Sequence, residues 1–288
     1  MALAALIGFN VLNSVAALVL LSIGLGVIYG MMRIINLAHG EFLMLGAYAT
    51  VVTTNAGLNL FVAMLIVAPV FVGLVGFVVE RGIIRFLYGR MIDTMLATWG
   101  LSLFLVGIVT TCFGTTVKGV AAPLGGFSIG PYQASTYSVF MIVMAVIVVV
   151  GIFVLLRFTR FGLIVRATMQ NPDMAAALGV SPPRIYMATF VLGAALTGLA
   201  GGVLVPVSGV APTMGAAYVA RAFITVIGGG PAIITGSGLA SVLFGFIDQV
   251  VTFQTTPVFG QVALLVSAVV MIRILPQGIT GRFFRRSL

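Results

Sequence analysis

Charge is what this sequence has least of: 288 residues carry 14 Lys and Arg, with Lys118 the one lysine, and five Asp and Glu. Cysteine and histidine occur once each, as Cys112 and His39. One cysteine makes no internal disulfide, so the redox compartment is unread. One His and one Cys fall short of the three or four nitrogen and sulfur ligands of a usual metal site. The only lysine lies in Thr116-Val117-Lys118-Gly119, without the Gly-x-x-x-x-Gly-Lys-Ser/Thr spacing of a phosphate loop. ATP hydrolysis is therefore not expected in this chain, and no nucleophile with a base is recognisable. A proton- or sodium-driven carrier would show acidic residues deep in its apolar runs, and only Asp248 meets that description.

What the sequence does have is apolar length. Hydrophobic residues make up 61% and charged residues 7%, with a mean hydropathy of +1.27. A soluble domain of this size has no interior large enough for that surface. Crossing a hydrocarbon core of about 30 Å takes roughly 20 apolar residues as helix. Runs such as Ile142 to Leu156 are apolar throughout, without the alternation of a membrane strand. The expected fold is an all-α polytopic membrane protein of about nine spans, in one domain over 1–288. Their expected limits are 8–32, 38–54, 59–79, 94–113, 138–156, 185–207, 213–230, 232–253 and 259–275. Pro206 to Pro212 are expected to end the sixth.

With nine spans and the N-terminus outside, twelve of the fourteen basic residues share the cytoplasmic side. They are Arg33, then Arg81, Arg85 and Arg90, then Arg157, Arg160, Arg166 and Arg184, then Arg273, Arg282, Arg285 and Arg286. The net charge of +9 follows from topology and calls for no nucleic-acid partner. No charged side chain precedes Arg33, so the first segment reads as a retained helix rather than a cleaved signal.

The cytoplasmic loop 157–184 carries its own helix signals. Asn171 suits a cap, Pro172 the first helical position and Asp173 the positive helix start, while Gly179 stops the run Met174-Ala175-Ala176-Ala177-Leu178. A short helix of small residues parallel to the membrane suits a coupling helix seated in a motor subunit; an ordinary capped loop helix is the plain alternative. Two segments are short and glycine-interrupted: Leu37 to Thr54, with Gly40 and Gly46, and Gly215 to Gly230, ending in Gly228-Gly229-Gly230 before Pro231. Such segments point to a transport path or to close helix packing, and unwinding of the second would open backbone groups toward a cavity. Arg221 and Asp248 lie within expected spans, where a charge costs at least about 2.5 kcal/mol unless paired or hydrated. They are expected to approach one another, with Thr225, Gln249, Thr252 and Gln254 nearby. Arg33, His39 and Glu41 are expected at a cytoplasmic helix end within reach of water. The outer loop Gly114 to Tyr137 reads as a landing surface for a delivery protein or as a lid.

The loop residues Phe161-Gly162-Leu163-Ile164-Val165-Arg166-Ala167, Asn171 and Ala175-Ala176-Ala177-Leu178-Gly179-Val180 resemble the cytoplasmic loop of the branched-chain amino-acid permease family. Ile34-Ile35-Asn36-Leu37-Ala38-His39-Gly40-Glu41-Phe42-Leu43-Met44-Leu45-Gly46-Ala47-Tyr48, the glycines of Ile227 to Pro231 with Gly236, and Leu275-Pro276-Gln277-Gly278-Ile279 resemble it as well, in order along nearly the whole chain. The resemblance implies a type II-like permease of an ABC importer in a bacterial inner membrane. Its cargo would be hydrophobic or branched-chain amino acids, or alternatively urea or short amides, which Ala97 to Ser102 and Thr168 to Asn171 favour and Val207 to Pro212 disfavour. The implied partners are a second related permease, favouring a heterodimer, two ATP-binding subunits that hold ATP and Mg, and an extracytoplasmic binding protein. This chain would bind no cofactor. Coupling falls to Gly162, Arg166, Asn171, Pro172, Asp173, Ala175, Ala176, Ala177 and Gly179. The candidate path is Asn36, His39, Gly40, Glu41, Gly46, Arg221, Gly228, Gly229, Gly230 and Asp248. A self-contained channel or secondary transporter is the alternative of another class.

Overall fold

The computed structural model describes residues 1–230 and 232–283, with the side chains of Ile233, Arg282 and Phe283 left aside. The readings that rest on Pro231, Arg285, Arg286 and the Arg282 side chain lie outside the described residues. Among the described residues twelve helices carry nearly all of the regular structure: α1 (Ala2–Met32), α2 (His39–Asn55), α3 (Leu60–Gly82), α4 (Met91–Phe113), α5 (Thr136–Phe158), α6 (Arg160–Gln170), α7 (Pro172–Ala177), α8 (Pro182–Ser208), α9 (Met214–Gly229), α10 (Ile233–Gln254), α11 (Pro257–Ile274) and α12 (Gly278–Phe283). Each of the nine expected segments falls on one of these helices. Seven are long and apolar enough to cross a membrane. The other two, α2 with 17 residues and α9 with 16, extend only about 26 and 24 Å at roughly 1.5 Å per residue.

Local chemistry accounts for several departures from expectation. The loop Gly114 to Tyr137 is not wholly irregular: Gly126–Ile129 (β1) and Tyr132–Ser135 (β2) form an antiparallel hairpin turning at Gly130, whose φ is +61°. Asn59 caps α3 by accepting the Phe61 N–H at 2.9 Å. Inside α3, Pro69 has no amide to give the turn before it, and Ala63–Val67 widens to π geometry. As expected, α8 ends within the stretch Pro206 to Pro212: Pro206 is accommodated inside it, and the helix runs to Ser208 and stops at Gly209, φ +66°. Helix α6 was not expected. Thr159 starts it by accepting the Gly162 N–H at 3.1 Å, and Gly162, Val165 and Thr168 form its buried side.

The chain divides into two compact units. The larger, 23–120 with 150–220, is centred on α2, α3 and α8, with Phe42, Val72, Phe190 and Ala194 in its core. Helices α3 and α8 run antiparallel, since Gly198 packs against Ala68 and Val72 while Gly76 packs against Phe190 and Ala194. A second cluster joins Met44, Tyr48 and Val51 of α2 to Val109, Val205 and Val210. The smaller unit, 1–22 with 121–149 and 221–288, pairs α10 with α11 and packs α12 against α10.

Candidate functional site

The amino-terminal motif forms a buried polar centre around α2. Its helix starts after a turn in which the Asn36 side-chain oxygen accepts the Ala38 N–H at 3.1 Å. Asn36, His39 and Glu41 are all buried, His39 to 1% and Glu41 to 3% exposure. The expectation that His39 and Glu41 sit within reach of water is therefore corrected; Arg33 alone of that trio is exposed. His39 Nδ1 lies 3.3 Å from Thr197 Oγ1, and the Thr197 hydroxyl donates to the Gly193 carbonyl at 2.7 Å. With the proton on Nδ1 the three groups form a continuous chain of hydrogen bonds from α2 into α8. Ser102 donates to the Glu41 carboxylate, whose Oε2 has no protein partner among the described residues.

Backbone proximity accounts for the glycines of this centre. A methyl group at Gly40 would lie 2.1 Å from the Gly215 carbonyl oxygen, and one at Gly46 would lie 2.3 Å from that of Gly198. Both positions let α2 meet a neighbouring backbone, the small-residue packing of membrane helices. Beside α2, Leu45, Tyr48, Val52, Val67, Phe71 and Phe113 line an apolar cavity of about 250 Å³.

In the smaller unit, the expected unwinding is absent up to Gly229, where α9 ends. A methyl group on Gly229 would lie 2.4 Å from the Gly236 carbonyl carbon, and one on Gly228 would lie 2.4 Å from Met271 Cε. The Gly229 carbonyl accepts the Thr280 hydroxyl at 2.6 Å, and Thr280 Oγ1 in turn accepts the Ala232 N–H at 3.3 Å. Gly230, φ +84°, turns against Gln277 and Gly278. The three glycines thus join α9, α10 and α12 closely. The Asp248 carboxylate accepts from the Ser14 hydroxyl at 3.1 Å. Of the expected polar neighbours, Thr225 donates to the Arg221 carbonyl at 2.8 Å, and Thr252 lies against Gly260 close to Asp248. Ser14 was missed because a serine within a long apolar helix carries no signal of a partner 234 residues away.

The loop helix α7 is built as its residues dictate. Asn171 Oδ1 accepts the Met174 N–H at 2.9 Å, Pro172 opens the helix and Asp173 lies in its first turn. At its end Gly179, φ +86°, donates to Ala176 O at 2.9 Å and Val180 donates to Ala175 O at 3.0 Å, the paired bonds of a Schellman stop. Ala175 is buried, whereas Ala176 and Ala177 are exposed. Met174 is 58% and Leu178 79% exposed, one turn apart on the same side. Gly162 and Arg166 belong to α6: a methyl group on Gly162 would meet the Leu156 carbonyl at 2.3 Å, and Arg166 is half-buried.

Residues 7–275 match the family model described as the permease component of branched-chain amino acid transport systems. The chain is 26% identical over 292 residues to the high-affinity branched-chain amino acid transport system permease protein LivH of Escherichia coli K12, covering 95% of this chain and 94% of that one. It is 28% identical to BraD of Pseudomonas aeruginosa, with 91% of each chain covered. It is 27% identical to a probable LivH of Methanocaldococcus jannaschii, over 92% and 88%. No solved structure matches. The matched residues take in α2, the loop helix and the glycine junction alike, and the chain belongs to the family of permease components of branched-chain amino acid transport systems.

Proposed function

We propose that this chain forms half of the translocation path of an ATP-driven importer, paired with a related permease, and receives motion from ATP-binding subunits through α7. As a permease component it is the passage and not the enzyme of its system. ATP and Mg belong to the two motor subunits, and an extracytoplasmic binding protein delivers a hydrophobic or branched-chain amino acid. The heterodimer is favoured by the resemblance to a family whose permeases work in related pairs.

The observation that carries this reading is the loop helix. Large apolar side chains at Met174 and Leu178 stand exposed on a segment capped at both ends. Exposing both has an apolar cost of roughly 1.5–3 kcal/mol each, which a partner groove would remove. The double cap keeps α7 rigid, so a push on it reaches α8 directly through Ser181 and Pro182 and α5 through α6. Tilting those helices would switch access between the two sides.

In the membrane, α2 and α9 complete nine crossings as short spans, with the N-terminus outside, the C-terminus in the cytoplasm and the arginine-bearing ends on the cytoplasmic face of a bacterial inner membrane. Asn36, His39, Gly40, Glu41 and Gly46 on α2, and Arg221, Gly228, Gly229, Gly230 and Asp248 in the smaller unit, are proposed to stand in or directly behind the path wall. Replacing Ala176→Glu tests the coupling role. Membrane insertion and thermal stability are expected to persist while ATP-coupled uptake falls to background; normal uptake by this variant refutes it.

A further inference from the structure

Three arginines in the larger unit converge on one cavity. Arg81 lies in the last turn of α3, Arg85 in the following short turn Ile84–Leu87, and Arg184 in the first turn of α8. With Glu80, Ser181, Pro183 and Met187 they line a space of about 320 Å³. Glu80 is the one carboxylate there. It is buried, and it accepts a hydrogen bond from Tyr88 rather than pairing with an arginine. None of the three guanidiniums has a carboxylate within 4 Å among the described residues. Ser181 precedes α8 without capping it through its hydroxyl. The cavity thus offers three fork-shaped donors and a hydroxyl, which suits a phosphoryl group.

The outer face of α3 points to where that group comes from. Phe71, Leu74 and Val78 are exposed, Val78 to 67%, while Val72, Gly76 and Val79 face the core. Steps of three and four residues place Phe71, Leu74, Val78 and Arg81 on one stripe. An apolar stripe along a membrane-crossing helix therefore ends at a cationic cavity, the outline of an acyl chain joined to a phosphate.

We propose that Arg81, Arg85, Arg184 and Ser181 hold the phosphate of an anionic phospholipid whose acyl chain lies along Phe71, Leu74 and Val78. The site adjoins Ser181, where the loop helix passes into α8, so an occupied site ties that junction to the bilayer surface.

The test is native mass spectrometry of the full chain in nanodiscs or mild detergent, titrated with phosphatidylglycerol, phosphatidylcholine or inorganic phosphate. Wild-type protein is expected to retain phosphatidylglycerol at least about tenfold more tightly than phosphatidylcholine. The triple variant Arg81→Gln, Arg85→Gln, Arg184→Gln is expected to lose that preference, while Arg157→Gln with Arg160→Gln retains it. A lysine triple at the same positions keeps the charge without the fork, folds with the same surface and is expected to bind between the two. Equal lipid binding by the glutamine triple overturns the proposal, and so does displacement of the lipid by inorganic phosphate, which would mark a site for a soluble anion. Loss of ATP-binding subunits from the triple variant with lipid binding intact also overturns it, in favour of a protein contact.

Discussion

Helix α2 and the loop helix α7 depart from ordinary membrane-protein composition in opposite ways. Along α2, polar groups are buried: His39 and Glu41 sit among packed helices, with glycine backbones in direct contact. Along α7, apolar groups are exposed at Met174 and Leu178. Buried polar groups cost free energy unless every donor and acceptor is met, so α2 depends on its own chain for stability. Exposed apolar groups gain when another molecule covers them, which is what the coupling role proposed for α7 would supply. Substitutions in α2 are accordingly expected to change folding, and substitutions in α7 to change transport with folding left intact.

The largest effect should come from Gly40→Leu, whose side chain begins 2.1 Å from the Gly215 oxygen. Backbone gives way less readily than side chain, and a loss of about 3 kcal/mol or more, or no folded protein, is expected on thermal unfolding in detergent. Unchanged stability would break the contrast. Next is Tyr88→Phe, which removes a donor from the buried Glu80 carboxylate. Burial, and then the carboxylate itself, hold the Tyr88 hydroxyl above the ordinary phenol range, so the donor is present at any physiological pH. The expected cost is about 1.5–3 kcal/mol. Thr197→Val removes the hydroxyl between His39 and Gly193 and should cost about 1–2 kcal/mol; calorimetry or denaturant titration checks both.

Smallest in stability should be Asn171→Ala, which removes the α7 cap. About 1 kcal/mol of local helix stability is at stake, readable as faster amide exchange over 172–178 with the global transition unmoved. A shift of the whole transition would mean that α7 belongs to the folding core after all.

How much of this was legible in the sequence varied with the range of the interaction. Helix positions were readable because charges, prolines and glycines punctuate otherwise apolar text. The α7 caps were readable because Asn171, Pro172 and Gly179 act on neighbours within four residues. The signal for α6 in Thr159 and the spacing of Gly162, Val165 and Thr168 is weaker than that of α7, because no proline opens it and no glycine closes it. The burial of His39 was not legible: its partner Thr197 lies 158 residues away, and a turn beside an arginine resembles a wet helix end. Asp248 likewise accepts from Ser14 on α1, a partner 234 residues away that no local pattern signals.

The central claim is that α7 delivers the work of separate ATP-binding subunits to this permease. Co-purification from the native membrane in mild detergent, with mass spectrometry of the bound chains and an ATPase assay, tests it most directly for wild type and Ala176→Glu side by side. The account predicts that wild type brings down ATP-binding subunits and a second permease with ATPase activity, and that the variant loses the motor subunits or their coupled uptake. Isolation of this chain alone, still moving substrate into liposomes without ATP, would contradict it.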